Sequence, residues 1–426
     1  MKTAELKQAL AGTTLDSRFC EIYGSAALEM QKARYLHAVE EFEKLYGADR
    51  EAALYSVAGR SELSGNHTDH NHGCVIAASI DLDIIAVASP SAGSVIRVKS
   101  EGFPEDVVDF GVYNAPNPAR YEKSDSLIAG MVAGFRKEGL AVGGFDAYTT
   151  SNVLKGSGIS SSAAFEDMIG NILNYVYNDG KVSNVEIAKL AQYAENRFFG
   201  KPCGLMDQMA CAVGGIIAID FRDPSAPVIE QTDFDLSAAG YNLCIVNTGG
   251  NHADLTGDYA TVPAEMKSVA AYFGKEVLRD TDENAVLAAI PTLREKVGDR
   301  AILRALHFFA ENRRVAAQKA ALKAGDLDTF LANVIASGRS SFCYLQNVYT
   351  TKNVSEQGLS LALCLAERVL SGKRAAWRVH GGGFAGTIQA FVPTEDVAEF
   401  RAVMDAAFGE GRCMVLRVRP EGALRV

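Results

Sequence analysis

The spacing of hydrophobic residues along the chain predicts a mixture of strands and helices, and its character changes near residue 248. Alternating or continuous apolar segments predict strands, and antiparallel pairing fits the part of the chain that follows residue 74. The strands predicted before residue 248 cover residues 53–58, 74–88 (as a strand pair), 95–99, 106–112, 144–154, 215–221 and 242–247.

Helices are predicted where apolar residues recur at spacings of three and four. They cover two segments before residue 47, then 124–137, a segment that follows the serine run and reaches residue 177, 183–199, and a short helix after Gly204. Beyond residue 248 they cover 262–273, 285–297, 301–324, 327–345 and 355–370. A small α+β unit follows, with strands 375–380 and 387–392 joined by a glycine-rich turn, a helix over 394–408 and a strand over 413–418.

The glycine- and serine-rich segment 155–165 lies between a predicted strand and a predicted helix. Gly156 and Gly158 tolerate positive φ and allow close approach of a ligand, while the serines add hydroxyl and N–H groups at the positive end of the helix dipole. Such a turn suits an anion, phosphate above all. It is not the Gly-x-x-x-x-Gly-Lys-Ser/Thr loop, because Lys155 precedes the glycines, and it lacks the dinucleotide spacing. A plain connection is the alternative.

A second polar segment, residues 59–73, follows the strand predicted at 53–58 and contains His67, His70 and His72 with Asp69 among them. Imidazole and carboxylate groups are ordinary zinc ligands. The order is not the His-Glu-x-x-His pattern, however, and no later Cys/His cluster completes a metal site. We therefore favour a loop that positions ligand hydroxyl groups over a zinc site or a solvated turn.

Two carboxylates lie near the ends of predicted helices. Asp207 begins the short helix after Gly204. Its simplest role is that of a cap, but near a helix N-terminus and a cation it would stay ionised and could accept a proton or orient a hydroxyl. Glu195 lies in the last turns of the helix 183–199, where the dipole disfavours negative charge, which suggests another role.

Composition narrows the class of protein. With 426 residues, 48% of them hydrophobic, the chain can bury large cores and should form two or three structural units. A net charge of −10 argues against non-specific binding to nucleic acid or anionic membranes. The eight cysteines form no Cys-x-x-Cys pair and are expected to be reduced thiols. No segment reaches transmembrane length and no apolar signal region is found, so we expect a cytoplasmic protein.

Several segments resemble, in the same order, those of the galactokinase, homoserine kinase, mevalonate kinase and phosphomevalonate kinase superfamily, and galactokinases most. Residues 59–70 resemble the galactokinase signature Gly-Arg-x-Asn-Leu-Ile-Gly-Glu-His-Thr-Asp-Tyr, residues 156–163 the phosphate loop, and residues 378–386 the C-terminal glycine motif. Residues 202–208, Pro-Cys-Gly-Leu-Met-Asp-Gln, fit the segment that carries the family's catalytic aspartate. Their joint occurrence is far more specific than any one motif.

The resemblance implies an ATP-dependent sugar-1-kinase with a two-domain α+β fold, in which helices cover mixed β-sheets and the active site lies in the cleft between domains. The expected N-terminal domain covers residues 1–222 and carries the sugar motif, the phosphate loop and the catalytic aspartate. The expected C-terminal domain covers residues 223–426 and is rich in helices. The expected partners are a small-molecule sugar and ATP, with no nucleic acid and no membrane, and the chain would be a monomer or a weak homodimer.

The resemblance also implies roles for individual residues. Asp207 would be the base or orienting carboxylate at the C1 hydroxyl of the sugar, and Arg60 would stabilise the charge that develops there and on the transferred phosphoryl group. Such roles agree with phosphoryl transfer, which depends mainly on positioning and cationic stabilisation. Ser162 and Glu195 would hold Mg²⁺. The residues implied to bind the ATP phosphates are Gly156, Ser157, Gly158, Ile159, Ser160, Ser161 and Ser162. The residues implied to hold the sugar are Asn66, His67, Thr68, Asp69 and Tyr259.

Departures from the signature are also informative: Asn66 stands where galactokinases have Glu, Glu62 where they have Asn, and His70 where they have Tyr. In galactokinases that Glu accepts a hydrogen bond from a sugar hydroxyl, whereas a neutral amide can also donate. Loss of negative charge at residue 66 would ease binding of a sugar that carries a carboxylate. We expect galactose as the substrate, with galacturonate or another galactose-like sugar as an alternative. A catalytically idle paralogue that binds sugar and ATP as a regulator is a further alternative, against which the retained reaction residues argue.

Overall fold

The computed structural model describes residues 1–153, 159–201, 203–250 and 255–426. Within these residues the strands form two sheets. The strands of the larger sheet are β1 (Ala53–Ser64), β2 (Cys74–Ser91), β3 (Val95–Ser100), β4 (Glu105–Asp109), β5 (Gly144–Ser151), β6 (Ile216–Asp220), β7 (Val228–Thr232) and β12 (Ala423–Arg425). The strands of the smaller sheet are β8 (Tyr241–Asn247), β9 (Ala376–Val379), β10 (Thr387–Pro393) and β11 (Cys413–Leu416).

The helices fall into the same two parts of the chain. Those before β8 are α1 (Thr3–Ala11), α2 (Asp16–Tyr23), α3 (Leu28–Tyr46), α4 (Ser124–Lys137), α5 (Ser161–Tyr177), α6 (Asn184–Ala194) and α7 (Met206–Val213). Those after it are α8 (Thr256–Tyr272), α9 (Glu283–Ala288), α10 (Ile290–Lys296), α11 (Asp299–Ala324), α12 (Leu327–Ser340), α13 (Gly358–Leu370) and α14 (Val397–Phe408). Short π-helical turns, Glu195–Phe199 and Ser341–Leu345, continue α6 and α12.

The larger sheet is mixed, with the order β12-β1-β2-β5-β3-β4. The first residues of β2 pair with β6, which pairs with β7, while the last residues of β2 pair with β5. The β3–β5 pair is parallel and the other strand pairs are antiparallel. The smaller sheet, ordered β11-β8-β10-β9, is antiparallel throughout. The expected α+β fold with mixed sheets covered by helices is confirmed.

Both faces of the larger sheet are buried. Successive residues of its strands point to opposite faces, so neighbouring residues enter different cores. Tyr55 and Val57 pack with helices α4 to α7 on one face. Leu54 and Val87 pack with helices α1 to α3 on the other face. A further core joins the far end of β1 to α12 and the smaller sheet, and it includes Phe330 and other buried apolar residues.

Strand β1 is longer than the sequence predicts, since it runs to Ser64 rather than ending at residue 58. The sequence interpretation took the polar residues after Gly59 for a loop, but Arg60 and Glu62 are strand residues and are buried. Register shifts with β2 lie between Ala58 and Arg60 and between Glu62 and Ser64. Such irregularities re-aim side chains, and here they occur where both charged residues face the cleft described below.

Other sequence predictions were also wrong in detail. Residues 74–91 form one long strand rather than a strand pair, the parallel β3–β5 pairing was not predicted, and three helices rather than two precede β1. The helix predicted over 285–297 is divided into α9 and α10, and β7 and β12 were missed. The predicted strand 144–154 ends at Ser151 among the described residues. The domain division at residue 222 stays a prediction, although β7 and β12 belong to the larger sheet.

A cleft lies between the part of the chain that contains the larger sheet and the part that contains the smaller one. Strand β1 and helix α7 form one wall. The turn between β9 and β10, together with α8, forms the other. In the described part of the chain, every helix is too short or too polar to span a lipid bilayer.

Candidate active site

The cleft contains a pocket of about 390 Å³. Its lining residues come from the polar segment after Gly59, from the segment around Asp207, from α8 and from the glycine-rich turn, which are far apart in sequence. They are Arg60, Glu62, His67, Asp69, His70, Lys201, Cys203, Gly204, Met206, Asp207, Tyr259, Gly381 and Gly382. Two cations and three carboxylates thus meet in one pocket.

An ion pair between Arg60 and Asp207 lies at one end of this pocket. The Arg60 Nε donates to Asp207 Oδ1 over 2.7 Å, and Ser160 Oγ donates to the other carboxylate oxygen over 2.5 Å. Burial acts to raise the pKa of Asp207, but the charge and hydrogen bond of Arg60, with the Ser160 hydroxyl, outweigh it and hold that pKa below its usual range. Asp207 is therefore an ionised acceptor at neutral pH, as the sequence predicted.

The local structure explains how these groups meet. Asp207 is the second residue of α7, so its carboxylate lies where the helix dipole favours negative charge. Ser160 has a left-handed backbone (φ 61°) just before α5 begins at Ser161. Ile159 is buried, and its carbonyl accepts a hydrogen bond from the Arg60 N–H, so the phosphate-turn segment is anchored to β1. Gly156, Ser157 and Gly158 lie outside the described residues.

Glu195 and Ser162 also approach each other. Glu195 begins the π-helical turn after α6, its side chain is only 3% exposed, and Ser162 Oγ lies 3.4 Å from its Oε1. Lys201 Nζ lies 2.9 Å from the same oxygen, and Gln208 donates to the other over 2.7 Å. A hydroxyl and a carboxylate are oxygen donors of the kind that Mg²⁺ takes when substrate phosphates and waters complete its coordination. The pair fits Mg²⁺, and the Lys201 ammonium shows that the carboxylate attracts a cation.

The predicted sugar residues divide into two groups. His67, Asp69 and Tyr259 line the pocket. His67 Nε2 is 2.9 Å from the Gly382 carbonyl, and the Tyr259 hydroxyl donates to Gly383 over 2.6 Å. Asn66 and Thr68 are fully buried and are not among the lining residues. Their direct contact with a sugar stays a prediction that the geometry does not favour.

The Asn66 side chain is instead hydrogen-bonded to other residues of the protein. Its side-chain nitrogen donates to Glu62 Oε1 over 3.0 Å and to the Gly381 carbonyl over 2.6 Å. Its side-chain oxygen accepts from Ser341 over 3.1 Å and from Asn347 over 2.8 Å. This amide therefore joins β1 to the glycine-rich turn and to the end of α12.

The sequence analysis missed several pocket residues, of which Glu62 and Lys201 are charged. Glu62 is 5% exposed, and Arg378 Nη2 donates to its Oε1 over 3.0 Å. Burial raises the pKa of Glu62, while Arg378 and Asn66 oppose the change. Its position two residues after Arg60 was the available signal, because alternate residues of one strand share a face.

Among the described residues, the histidine segment does not form a metal centre. His67 is bonded to Gly382, and burial lowers its pKa to about 4, so it is neutral at pH 7. No group of three or more His, Cys, Asp or Glu side chains placed to hold a metal ion occurs among residues 1–153, 159–201, 203–250 and 255–426. The zinc alternative has no support in this part of the chain.

Comparisons with known proteins agree with the geometry. The family profile described as GHMP kinases N terminal domain matches residues 126–215, and the profile described as the galactokinase galactose-binding signature matches residues 40–90. The crystal structure of Lactococcus lactis galactokinase complexed with galactose is similar at a TM-score of 0.77 and 23% identity, covering 92% of this chain and 100% of that one. The Methanococcus jannaschii mevalonate kinase is similar at a TM-score of 0.61 and 15% identity, covering 86% of this chain and 98% of that one.

Two curated relatives are similar over most of their length. A galactokinase of Streptomyces coelicolor is 32% identical over 378 residues, which cover 87% of this chain and 92% of the relative. A galactokinase of Actinobacillus pleuropneumoniae is 31% identical over 374 residues, which cover 86% and 92%. With this similarity, and with the signature segments gathered around one pocket, the chain belongs to the galactokinase family.

Proposed function

We propose that this protein transfers the γ-phosphoryl group of ATP to the C1 hydroxyl of galactose or a galactose-like sugar. The observation that carries the proposal is the contact of Asp207 with both Arg60 and Ser160. It brings a carboxylate, a buried guanidinium and the serine-rich start of α5 together in the pocket that His67, Asp69 and Tyr259 also line. A sugar in that pocket would place a hydroxyl between the carboxylate and the γ-phosphate.

In the proposed reaction, Asp207 orients the C1 hydroxyl and takes its proton as the oxygen attacks the γ-phosphorus. The bond from phosphorus to the β–γ bridging oxygen breaks, and ADP leaves with that electron pair. Arg60 stabilises the negative charge that spreads over the transferred group. Because Arg60 is 6% exposed, water screens its charge little, which strengthens this effect.

Ser160, Ser161 and Ser162 lie at the beginning of α5, where backbone N–H groups and the helix dipole favour the ATP phosphates. Ser162 and Glu195 would hold Mg²⁺, which neutralises charge on the β- and γ-phosphate oxygens when bound. Lys201 lies beside Glu195 and lines the same pocket, so its ammonium adds positive charge near the transferred group.

The proposal is tested by coupled measurement of ADP release with ATP, Mg²⁺ and a panel of sugars that includes galactose, glucose and galacturonate. Galactose should give the highest kcat/KM, and phosphorus NMR should place the product phosphate on C1. Galacturonate as the preferred substrate would favour the uronate-kinase alternative. Sugar binding without ADP release from any sugar would favour the idle regulator.

A further inference from the structure

Glu62 and Asn66 are directly hydrogen-bonded to each other, with the Asn66 side-chain nitrogen 3.0 Å from Glu62 Oε1. The galactokinase signature quoted above has Asn at the first of these positions and Glu at the second, so this chain carries the same acid and amide in exchanged places. Because the two side chains touch, the exchange keeps the composition of the pair and changes only which end carries the charge.

The amide end of the pair is fully occupied by protein. An Asn side chain offers two N–H donors and two acceptor lone pairs, and all four are used by Glu62, Gly381, Ser341 and Asn347. Asn66 is 0% exposed, so no polar capacity of its side chain remains for a ligand.

The acid end differs. Both protein donors that reach Glu62, Arg378 and Asn66, bond to Oε1, and among the described residues no donor lies within hydrogen-bond distance of Oε2. Glu62 lines the pocket, and alternate residues of a strand are about 6.6 Å apart. Glu62 is two residues after Arg60 on β1 and therefore lies about 6.6 Å from it along the strand. This distance is comparable with the span of a pyranose ring from C1 to its far hydroxyls.

We infer that Glu62, held by Asn66 and Arg378, is the specificity-determining carboxylate that accepts a hydrogen bond from a sugar hydroxyl on the side of the ring away from C1. This inference rests on the proposed function. Glu62 contacts the sugar, whereas Asn66 is a positioning residue that fixes the carboxylate against the glycine-rich turn. The guanidinium of Arg378, 0% exposed, keeps the carboxylate oriented from behind.

The inference reverses one expectation drawn from the sequence. Asn66 alone suggested a pocket that had lost a negative charge and could admit a uronate. Glu62, which is hydrogen-bonded to Asn66, supplies that negative charge instead. A carboxylate on the sugar would meet Glu62 and Asp69 in the same pocket. The site should therefore favour a neutral galactose-like sugar over its uronate.

The first test is Glu62→Gln with calorimetric binding of galactose and its 2-, 3-, 4- and 6-deoxy analogues. Gln keeps an acceptor for Arg378 and Asn66 but presents N–H to the pocket, so galactose should bind about 10- to 100-fold more weakly. For the analogue that lacks the contacted hydroxyl, the dissociation constants of the wild type and the variant should differ by less than threefold. A general structural defect would instead weaken galactose and every analogue by one common factor, which would overturn the inference.

The second test exchanges the pair. Glu62→Asn removes the carboxylate, Asn66→Glu places two carboxylates side by side, and the double variant restores the arrangement of the signature. The double variant should bind galactose at least tenfold more tightly than either single variant. Effects that simply multiply would contradict the inference, because independent sites show no such coupling.

Glu230→Gln is the matched control, since Glu230 lies on β7 and pairs with Lys319 and Lys323 outside this pocket. It should leave the deoxy-sugar profile unchanged. A wild-type enzyme that releases no ADP with any sugar would refute the proposed function. A wild type that phosphorylates galactose, with a deoxy-sugar profile unaltered by Glu62→Gln, would refute this inference alone.

Discussion

Replacement of Asp207 by Asn tests the centre of the proposed mechanism, because it removes the charge and keeps the shape. The carboxylate accepts from Arg60 Nε at 2.7 Å and from Ser160 Oγ at 2.5 Å. An Asn at this position can still accept from Arg60 while its own N–H donates to the Ser160 hydroxyl. The local structure should therefore survive, and the effect on turnover should reflect chemistry.

The magnitude follows from what the carboxylate does. General-base catalysis contributes about 10²- to 10⁴-fold, which corresponds to roughly 3–5 kcal/mol of the activation free energy. We expect kcat of Asp207→Asn to fall by that factor. Since the Asp207 side chain is 37% exposed and an Asn in its place still accepts from Arg60, the free energy of unfolding should change by only about 1 kcal/mol.

The assay is coupled ADP release under saturating galactose and Mg·ATP, with the dissociation constant for ATP measured separately. That constant should stay within about threefold of the wild-type value, because Asp207 acts at the sugar oxygen. Asp220→Asn is a closely matched control: its side chain is also 37% exposed, and it pairs with Arg279 over 2.8 Å outside the pocket. Wild-type turnover by Asp207→Asn, or an equal loss in Asp220→Asn, would refute the role of Asp207.

Three other perturbations address the proposed metal site, the buried His380 and the glycine-rich turn. Glu195→Gln should raise the Mg²⁺ concentration for half-maximal turnover about tenfold or more, because a neutral amide is a weaker ligand; an unchanged Mg²⁺ titration would exclude Glu195 from the site. Burial, helped by Arg60 and Arg378, lowers the pKa of His380 from 6.5 to about 3, so the unfolded chain takes up a proton that the folded one does not. His380 should therefore cost about 2 kcal/mol of stability at pH 5 relative to pH 7.5, and His380→Asn should reduce the pH dependence seen in urea unfolding. Gly383 has φ 79° and its added Cβ would collide with the Asn347 carbonyl, so Gly383→Ala should lower Tm and cost about 1–3 kcal/mol; an unchanged Tm would show that the turn can yield.

The sequence pointed to candidate reacting groups because short motifs carry their chemistry locally. Arg60, Ser160 and Asp207 each stand in a segment whose residue types are unusual together, and the structure brings Arg60 and Ser160 within hydrogen-bond distance of Asp207. The helix at Ser124–Lys137 was predicted to its last residue, since its apolar face is regular and the segments that flank it are polar.

The burial of Glu62, the role of Asn66 and the pairing of β2 could not be predicted, because each depends on residues that are distant along the chain. Glu62 reads as a polar loop residue because Arg378, whose charge offsets the cost of burying that carboxylate, lies 316 positions away in the sequence. Asn66 reads as a ligand contact because its partners Ser341 and Asn347 are also remote, 275 and 281 positions away in the sequence. The order of strands and helices in the sequence likewise does not reveal that β2 pairs with β6 at its beginning and with β5 at its end.

Strand β12 has a consequence for biosynthesis. Residues Ala423, Leu424 and Arg425 pair with Val57, Ser56 and Tyr55 of β1, and the buried Arg419 bonds to Asp83 and Ser56. On the ribosome, β1 emerges before β12 and gains this neighbour only after residue 425 has left the exit tunnel. Nascent chains halted before that point would display an unpaired β1 edge, so the strand that carries Arg60 is protected from aggregation only once β12 has been synthesised.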